Sequence, residues 1–288
     1  APTTNDSVVT FENGEDLNSC LLGIKISGAD LNEGAGVYCF NSSPLIKKCI
    51  ISNNSSQTYG GGIYCDANSF PIIENCLIYE NEPDGIFCSD SRPLIINSTI
   101  SKNQNYGISG CSTIENSIVY FNNYGSLEGL EHAASYSNIQ GGFSGLGIID
   151  DDPCFADLTN NDFHLRSEAG RWDPNNSTWL TDISTSLCID TGNPGNYLKD
   201  EYLDQFNCRI NMGAYGGTKQ ASKTPMGWSL HSDLNNDGIS DIWDLDIISN
   251  NWLGTEQNNF SDLTKDGETN FADLAVLLNE WLHRTAWH

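Results

Sequence analysis

Short apolar runs recur through the first half of the chain in a fixed layout. Gly36, Gly62, Gly85 and Gly107 each open one, reading VYC, IYC, IFC and ISG. Eight to nine residues further on, Pro44, Pro71 and Pro93 lead into a second run holding Ile46, Ile73 and Ile95, with Ile114 in the matching place of the fourth copy. A third run follows at once. It sets Cys49, Cys76, Ser98 and Ser117 in one column, Ile51, Ile78, Ile100 and Val119 in the next, and Asn54, Asn81, Asn103 and Asn122 at the turn. Copies lie 19 to 27 residues apart, a period that marks a stacked repeat architecture.

Each run is too short for a helix, rich in β-branched and aromatic residues, and bounded by Gly, Pro, Asn and Ser, so each predicts a strand. Three short strands per repeat with no helix between them predict the coils of a parallel β-helix, a mainly β solenoid whose columns stack at about 4.8 Å. The Ile columns fill the interior. The Asn column bonds along itself and to backbone at turns, where Asn tolerates left-handed conformations. The leucine and asparagine spacing of a leucine-rich repeat is missing. Residues 1–35 predict an opening coil, with strands at 8–11 and 21–26 and a turn from Gly28 to Gly34. The pattern loosens from Tyr124 to Gly147, although SYSNIQGG at 135–142 still reads as a degenerate rung. Past it the solenoid needs a cap, because a bare terminal coil exposes edge groups and core.

The segments DDDPCF at 150–155, DFHL at 162–165, LCIDTGNPG at 187–195 and INMGAYGG at 210–217 resemble the tail of secreted bacterial right-handed β-helix proteins of the pectate-lyase-like group. That resemblance implies a structural role in closing the helix. Residues 218–231 lack pattern and read as a linker. The expected division is therefore 1–217 for the β-helix with its cap at about 150–217, 218–231 for the linker, and 232–288 for a separate module.

Two twelve-residue loops carry that module, DLNNDGISDIWD at 233–244 and DLTKDGETNFAD at 262–273, their first residues 29 apart. Each places oxygen ligands at positions 1, 3, 5, 9 and 12 with glycine at 6, the pattern of a calcium loop. Asp233, Asn235, Asp237, Asp241 and Asp244 would hold one ion with the carbonyl of Ile239. Asp262, Thr264, Asp266, Asn270 and Asp273 would hold a second with the carbonyl of Glu268. Gly238 and Gly267 allow the sharp turn beneath each ion. Apolar spacing then predicts helices over 245–253 and 274–282, each ending in Trp-Leu. The pair resembles a type I dockerin, a small α-helical domain with two EF-hand-type Ca2+ loops that end in Asp. The likeness covers 231–284 and implies calcium-dependent folding and docking to a cohesin-like partner. It departs at loop positions 10 and 11, where a Ser-Thr-like pair is replaced by Ile242-Trp243 and Phe271-Ala272. These apolar pairs suit a hydrophobic docking surface, or packing against the rod.

Charge narrows the partners. With 13 Lys and Arg against 38 Asp and Glu, the net charge is −25, which excludes nucleic acid for want of a basic patch and disfavours unassisted binding of acidic polysaccharides. No 18-residue apolar run spans a membrane. The N-terminal Ala-Pro-Thr-Thr is what a small-residue cleavage site leaves behind, so an extracellular or cell-surface location is expected. Ten cysteines permit disulfides there, but Cys39, Cys65 and Cys88 share a column, as do Cys49 and Cys76, and stacked apolar thiols are the competing account. Sequons place possible glycosylation at Asn5, Asn41, Asn53 and Asn176.

Catalysis finds less support. Lys25, Lys47, Lys48, Arg92 and Lys102 form no ladder with carboxylates. Glu74 and Glu115 match in rung position but are expected to be exposed rather than to act as a pair, and His132 and His164 stand alone. Fold resemblance by itself supplies no chemistry. Tyr38, Tyr64 and Phe87 form an outward aromatic column that fits sheet-face packing or a glycan platform. The favoured function is a non-catalytic extracellular rod whose calcium module joins copies, as in a fibre, or binds a surface partner. The alternative is a dockerin-anchored polysaccharide lyase or hydrolase.

Overall fold

The computed structural model describes residues 7–31, 36–129, 131–202, 206–255 and 259–288. Three six-stranded parallel sheets form a solenoid. The first stacks Val9–Phe11, Val37–Phe40, Ile63–Asp66, Ile86–Cys88, Tyr106–Ser109 and Gly125–Glu128. The second stacks Cys20–Leu22, Leu45–Lys47, Ile72–Glu74, Leu94–Ile96, Thr113–Glu115 and Ala133–Ser135. The third stacks Lys25–Ile26, Ile50–Ser52, Leu77–Tyr79, Thr99–Ser101, Ile118–Tyr120 and Asn138–Ile139. The opening coil and the degenerate rung at 135–142 both join the stack. The expected turn from Gly28 to Gly34 lies partly outside the described residues.

The register reproduces the sequence columns. Ile46, Ile73, Ile95 and Ile114 are consecutive partners, as are Ile51, Ile78, Ile100 and Val119 and the cysteines 39, 65 and 88. All point inward and form one buried core. Each fully buried Ile contributes about 1.5–3 kcal/mol, so the stack rather than any local propensity holds the short strands. All ten cysteines carry free thiols. At the turn, the Nδ2 of Asn54 donates to Asn81 Oδ1 at 3.1 Å, Asn81 to Asn103 at 3.1 Å and Asn103 to Asn122 at 2.9 Å. The close approach that this ladder needs is visible at Gly62, where a Cβ would meet the Gly85 carbonyl at 2.3 Å.

Residues beyond the last rung pack along the side of the rod as well as over its end. The Tyr136 and Ile139 amides donate to Leu146 and Ile149 carbonyls at 2.8 and 3.0 Å, covering the terminal strand edge. Two antiparallel hairpins follow, Phe155–Asp157 with Asp162–Leu165 and Arg171–Asp173 with Thr178–Leu180. A second core joins the outward positions Leu77, Tyr79 and Ile118 of the third sheet to Phe155, Phe163, Leu165, Ile189 and Met212. This explains why LIY and IVY are apolar at successive positions: both faces of that sheet are covered. Residues 218–231, expected to be a linker, lie on the cap with Ala221, Ser222 and Thr224 buried. Ser222 Oγ donates to the Leu165 carbonyl at 2.6 Å.

Candidate functional site

Both loops fold by the same hydrogen bonds, because the first-position carboxylate reaches back across the turn. Asp233 accepts from the amides of Asp237 and Gly238 at 3.1 and 3.0 Å; Asp262 accepts from Asp266 and Gly267 at 3.1 and 2.8 Å. Gly238 and Gly267 have φ of 87° and 100°, the region where glycine carries no steric cost. Asp237 and Asp266 accept from the amides of Ile239 and Glu268, at 3.0 and 3.1 Å. The last carboxylate closes each ring: Asp244 accepts from Leu234 and Asp241 at 2.7 and 2.8 Å, and Asp273 from Thr264 and Asn270 at 2.9 and 2.8 Å.

These closing bonds also start the helices. Helix α1 spans Ile242–Asn250 and α2 spans Phe271–Asn279, with capping boxes formed by Asp241 with Asp244 and by Asn270 with Asp273. Each helix therefore begins three residues before the apolar periodicity predicted, since the side chain at loop position 9 accepts from an amide of its first turn and that at position 12 from the N-cap amide, a cap that contributes about 1 kcal/mol. Leu234, Ile248, Leu263 and Leu277 form the module's core. Crossed bonds tie the halves: the Leu253 amide donates to Thr269 O at 2.9 Å and Leu282 to Ser240 O at 2.8 Å.

The donor set fits a hard cation. Carboxylate oxygens of Asp262, Asp266 and Asp273 lie within 4.8 Å of one another, with Asp273 fully buried. In the first loop, burial pushes the Asp233 carboxyl up to about 7 and Asp244 to about 6. The buried Arg209 guanidinium opposes that rise at Asp233 and bonds the Asp233 backbone carbonyl, at 2.6 Å. Grouped carboxylates with neutral oxygen donors between them are the chemistry of a calcium site, and a bound ion supplies the positive charge that keeps them ionised at close range. Asn235 and Thr264 border their rings: the Asn235 amide nitrogen lies 2.9 Å from Asp237, and Thr264 Oγ1 lies 3.0 Å from Asp273. The side chains of Asp241 and Asn270 accept from Trp243 and Ala272 amides.

The apolar pairs do not pack on the rod. Ile242, Trp243 and Phe271 are 57%, 65% and 76% exposed, and Ala272 is exposed beside them. Trp252 meets Phe271 edge-on at 5.0 Å. Residues 231–282 match the family model of the dockerin type I domain, and residues 4–127 that of the right-handed β-helix region. The chain joins a right-handed β-helix region to a type I dockerin domain. Dockerin type I domains bind calcium and cohesin partners, and occur in extracellular or cell-surface proteins. No curated protein and no solved structure matches the chain. No helix among the described residues is long and apolar enough to cross a membrane.

The face of the dockerin that does meet the β-helix side was not foreseen. Position 4 of each loop, Asn236 and Lys265, reaches the cap, and Arg209 of the cap reaches back to the Asp233 carbonyl.

Elsewhere, Glu74 and Glu115 are not exposed, contrary to expectation. Glu74 bridges Lys47 and Lys199 at 2.8 and 2.9 Å; Glu115 accepts from Asn193 and Asn196 at 3.2 and 2.6 Å. Both face the cap, which is why they sit at matching rung positions. His164 is buried, 2.6 Å from Asp162 and stacked on Tyr215, while His132 bonds Ser112. Tyr38, Tyr64 and Phe87 do stack outward, joined by Tyr59, whose ring lies 4.7 Å from Phe87. Asn41, Asn53 and Asn176 are exposed; Asn5 lies outside the described residues.

Proposed function

We propose that the chain is a non-catalytic extracellular assembly protein: a β-helix rod whose dockerin, holding two calcium ions, attaches it to a cohesin-like surface protein or to another copy. Asp233, Asn235, Asp237, the Ile239 carbonyl, Asp241 and Asp244 hold one ion, and Asp262, Thr264, Asp266, the Glu268 carbonyl, Asn270 and Asp273 the other. The observation that carries the proposal is the apolar group Ile242 and Trp243 with Phe271 and Ala272, left exposed while position 4 of each loop is bonded to the cap. Burying such side chains yields about 1.5–3 kcal/mol each, and an exposed Trp in an apolar cluster is the kind of anchor that dominates a docking interface. Sugars on the exposed Asn41, Asn53 or Asn176 would belong to the same extracellular setting.

The test is a Trp243→Ser/Phe271→Ser double variant, titrated against a cohesin domain and against itself in calcium. The wild type is expected to bind in one of the two arms, and the variant to lose at least about tenfold in that arm, at 1.4 kcal/mol per decade. Equal affinity of variant and wild type, or no association of the wild type in either arm, would reject the docking face. Incubation with pectin and alginate addresses the enzymatic alternative; release of unsaturated products or reducing ends would favour it.

A further inference from the structure

One cap segment, residues 190–196, touches the calcium loops and the rod at once. From the first loop, Asn236 Nδ2 donates to the carbonyls of Thr191 and Gly147, both at 2.9 Å. From the second, Lys265 Nζ donates to the Asn196 carbonyl at 2.7 Å. Between them lies Arg209, 1% exposed. Its guanidinium donates to the carbonyls of Gly192 at 2.8 Å, Thr191 at 3.2 Å and Asp233 at 2.6 Å. Asp233 is the first residue of the first calcium loop, so a buried cation of the cap is satisfied in part by the loop's own backbone.

On its other side the segment is fixed to the solenoid. The Asn193 amide donates to Asn116 Oδ1 at 2.7 Å, and the side chains of Asn193 and Asn196 both donate to Glu115 Oε1. The corner residue of the last rung, Tyr136, has the Arg209 guanidinium 5.6 Å from its ring centre, and Phe260 of the dockerin 6.3 Å away. An unbroken series of direct bonds thus runs from both calcium loops, through 190–196, to rung positions 115 and 116.

We infer that calcium binding by the dockerin and closure of the cap on the β-helix form one linked equilibrium, with residues 190–196 as the coupling element. The inference rests on the calcium sites of the proposed function. Its physical basis is that each loop crowds carboxylates which repel one another without an ion between them. Relaxation of a loop moves positions 1 and 4 together, and these are the positions that Arg209, Asn236 and Lys265 bond across. Arg209 is then left buried with an acceptor missing, which favours release of the cap. Linkage is reciprocal: whatever factor calcium contributes to closure, closure contributes to calcium affinity.

The experiment is hydrogen exchange of the full chain with and without calcium, alongside calcium titration of the wild type and of an Asn236→Ala/Lys265→Met double variant. Neither residue is a calcium ligand. Calcium is expected to slow exchange at 190–196 and 210–217 as well as within the dockerin. The double variant is expected to bind calcium about tenfold more weakly, within the usual range of coupling, and to exchange at 190–196 faster than the wild type in calcium. Protection confined to 231–284 in the wild type would overturn the coupling while leaving the calcium sites intact, even if the variant fails to fold. Wild-type affinity in a folded variant would also overturn it. A wild type that binds no calcium would sink the calcium sites themselves, and the coupling with them.

Discussion

At the residue scale, most positions are decided by what a side chain meets one rung away. Asn81 accepts from the amide and side chain of Asn54 and donates to Ile51 O and Asn103. Asn81→Ala leaves several buried groups unpaired, at about 1–3 kcal/mol each, and a drop on the order of 3 kcal/mol in unfolding free energy is expected in chemical denaturation; Asn54 exchange should quicken. A second residue sets a pH dependence. Glu201, 4% exposed, accepts from the amides of Asn211 and Gly217, and burial raises its carboxyl from 4.5 to about 8. A group whose folded pKa is raised binds its proton more tightly when folded, so its contribution to stability is present below about pH 4.5 and is lost as pH rises toward 8. Glu201→Gln should flatten the fall in unfolding free energy across that window; an unchanged slope would show that Glu201 does not set it. The inward columns could be read from sequence because each rung repeats the same contact. Asn75, Asn97 and Asn116 could not. They look like ordinary turn residues, yet Asn75 bonds Gly216 and Asn97 bonds Asn211, 141 and 114 residues away.

At the element scale, the loop and helix of each dockerin half are one unit. The capping carboxylates Asp244 and Asp273 also close the loop through their bonds to Leu234 and Thr264, and helix onset fell outside the reach of apolar periodicity because the first turns, IWD and FAD, present their apolar residues to solvent. Position 12 is the most buried of the proposed ligands in each loop. Asp273→Ala should therefore reduce calcium stoichiometry from two ions to one and remove the capping box of α2, measured by titration and by helical circular dichroism. Retention of two ions would contradict the ligand assignment. The dockerin domain was the most legible feature, because its two loops repeat the same residue types at the same spacing, and both fold by the same hydrogen bonds. The seat of the dockerin was not, because Arg209, Asn236 and Lys265 make their bonds largely to backbone carbonyls, and carbonyls leave no trace in sequence.

At the scale of the whole molecule, three parts share contacts that their order along the chain does not announce. The β-helix supplies a stiff rod. Its third sheet is covered by the cap, and the cap carries the dockerin by the loop face. The apolar pairs at loop positions 10 and 11 stay exposed, so attachment through them need not compete with the internal seat. On the proposed function calcium stands at the centre of this arrangement, and its removal should act on assembly before it acts on the stacked core. The most direct measurement is sedimentation velocity of the full chain, alone and mixed with a cohesin domain, in calcium and after chelation. The account predicts a larger species in calcium, in at least one of the two samples, that returns on chelation to a particle of the 31.6 kDa chain. An identical distribution in calcium and chelator, in both samples, would contradict it.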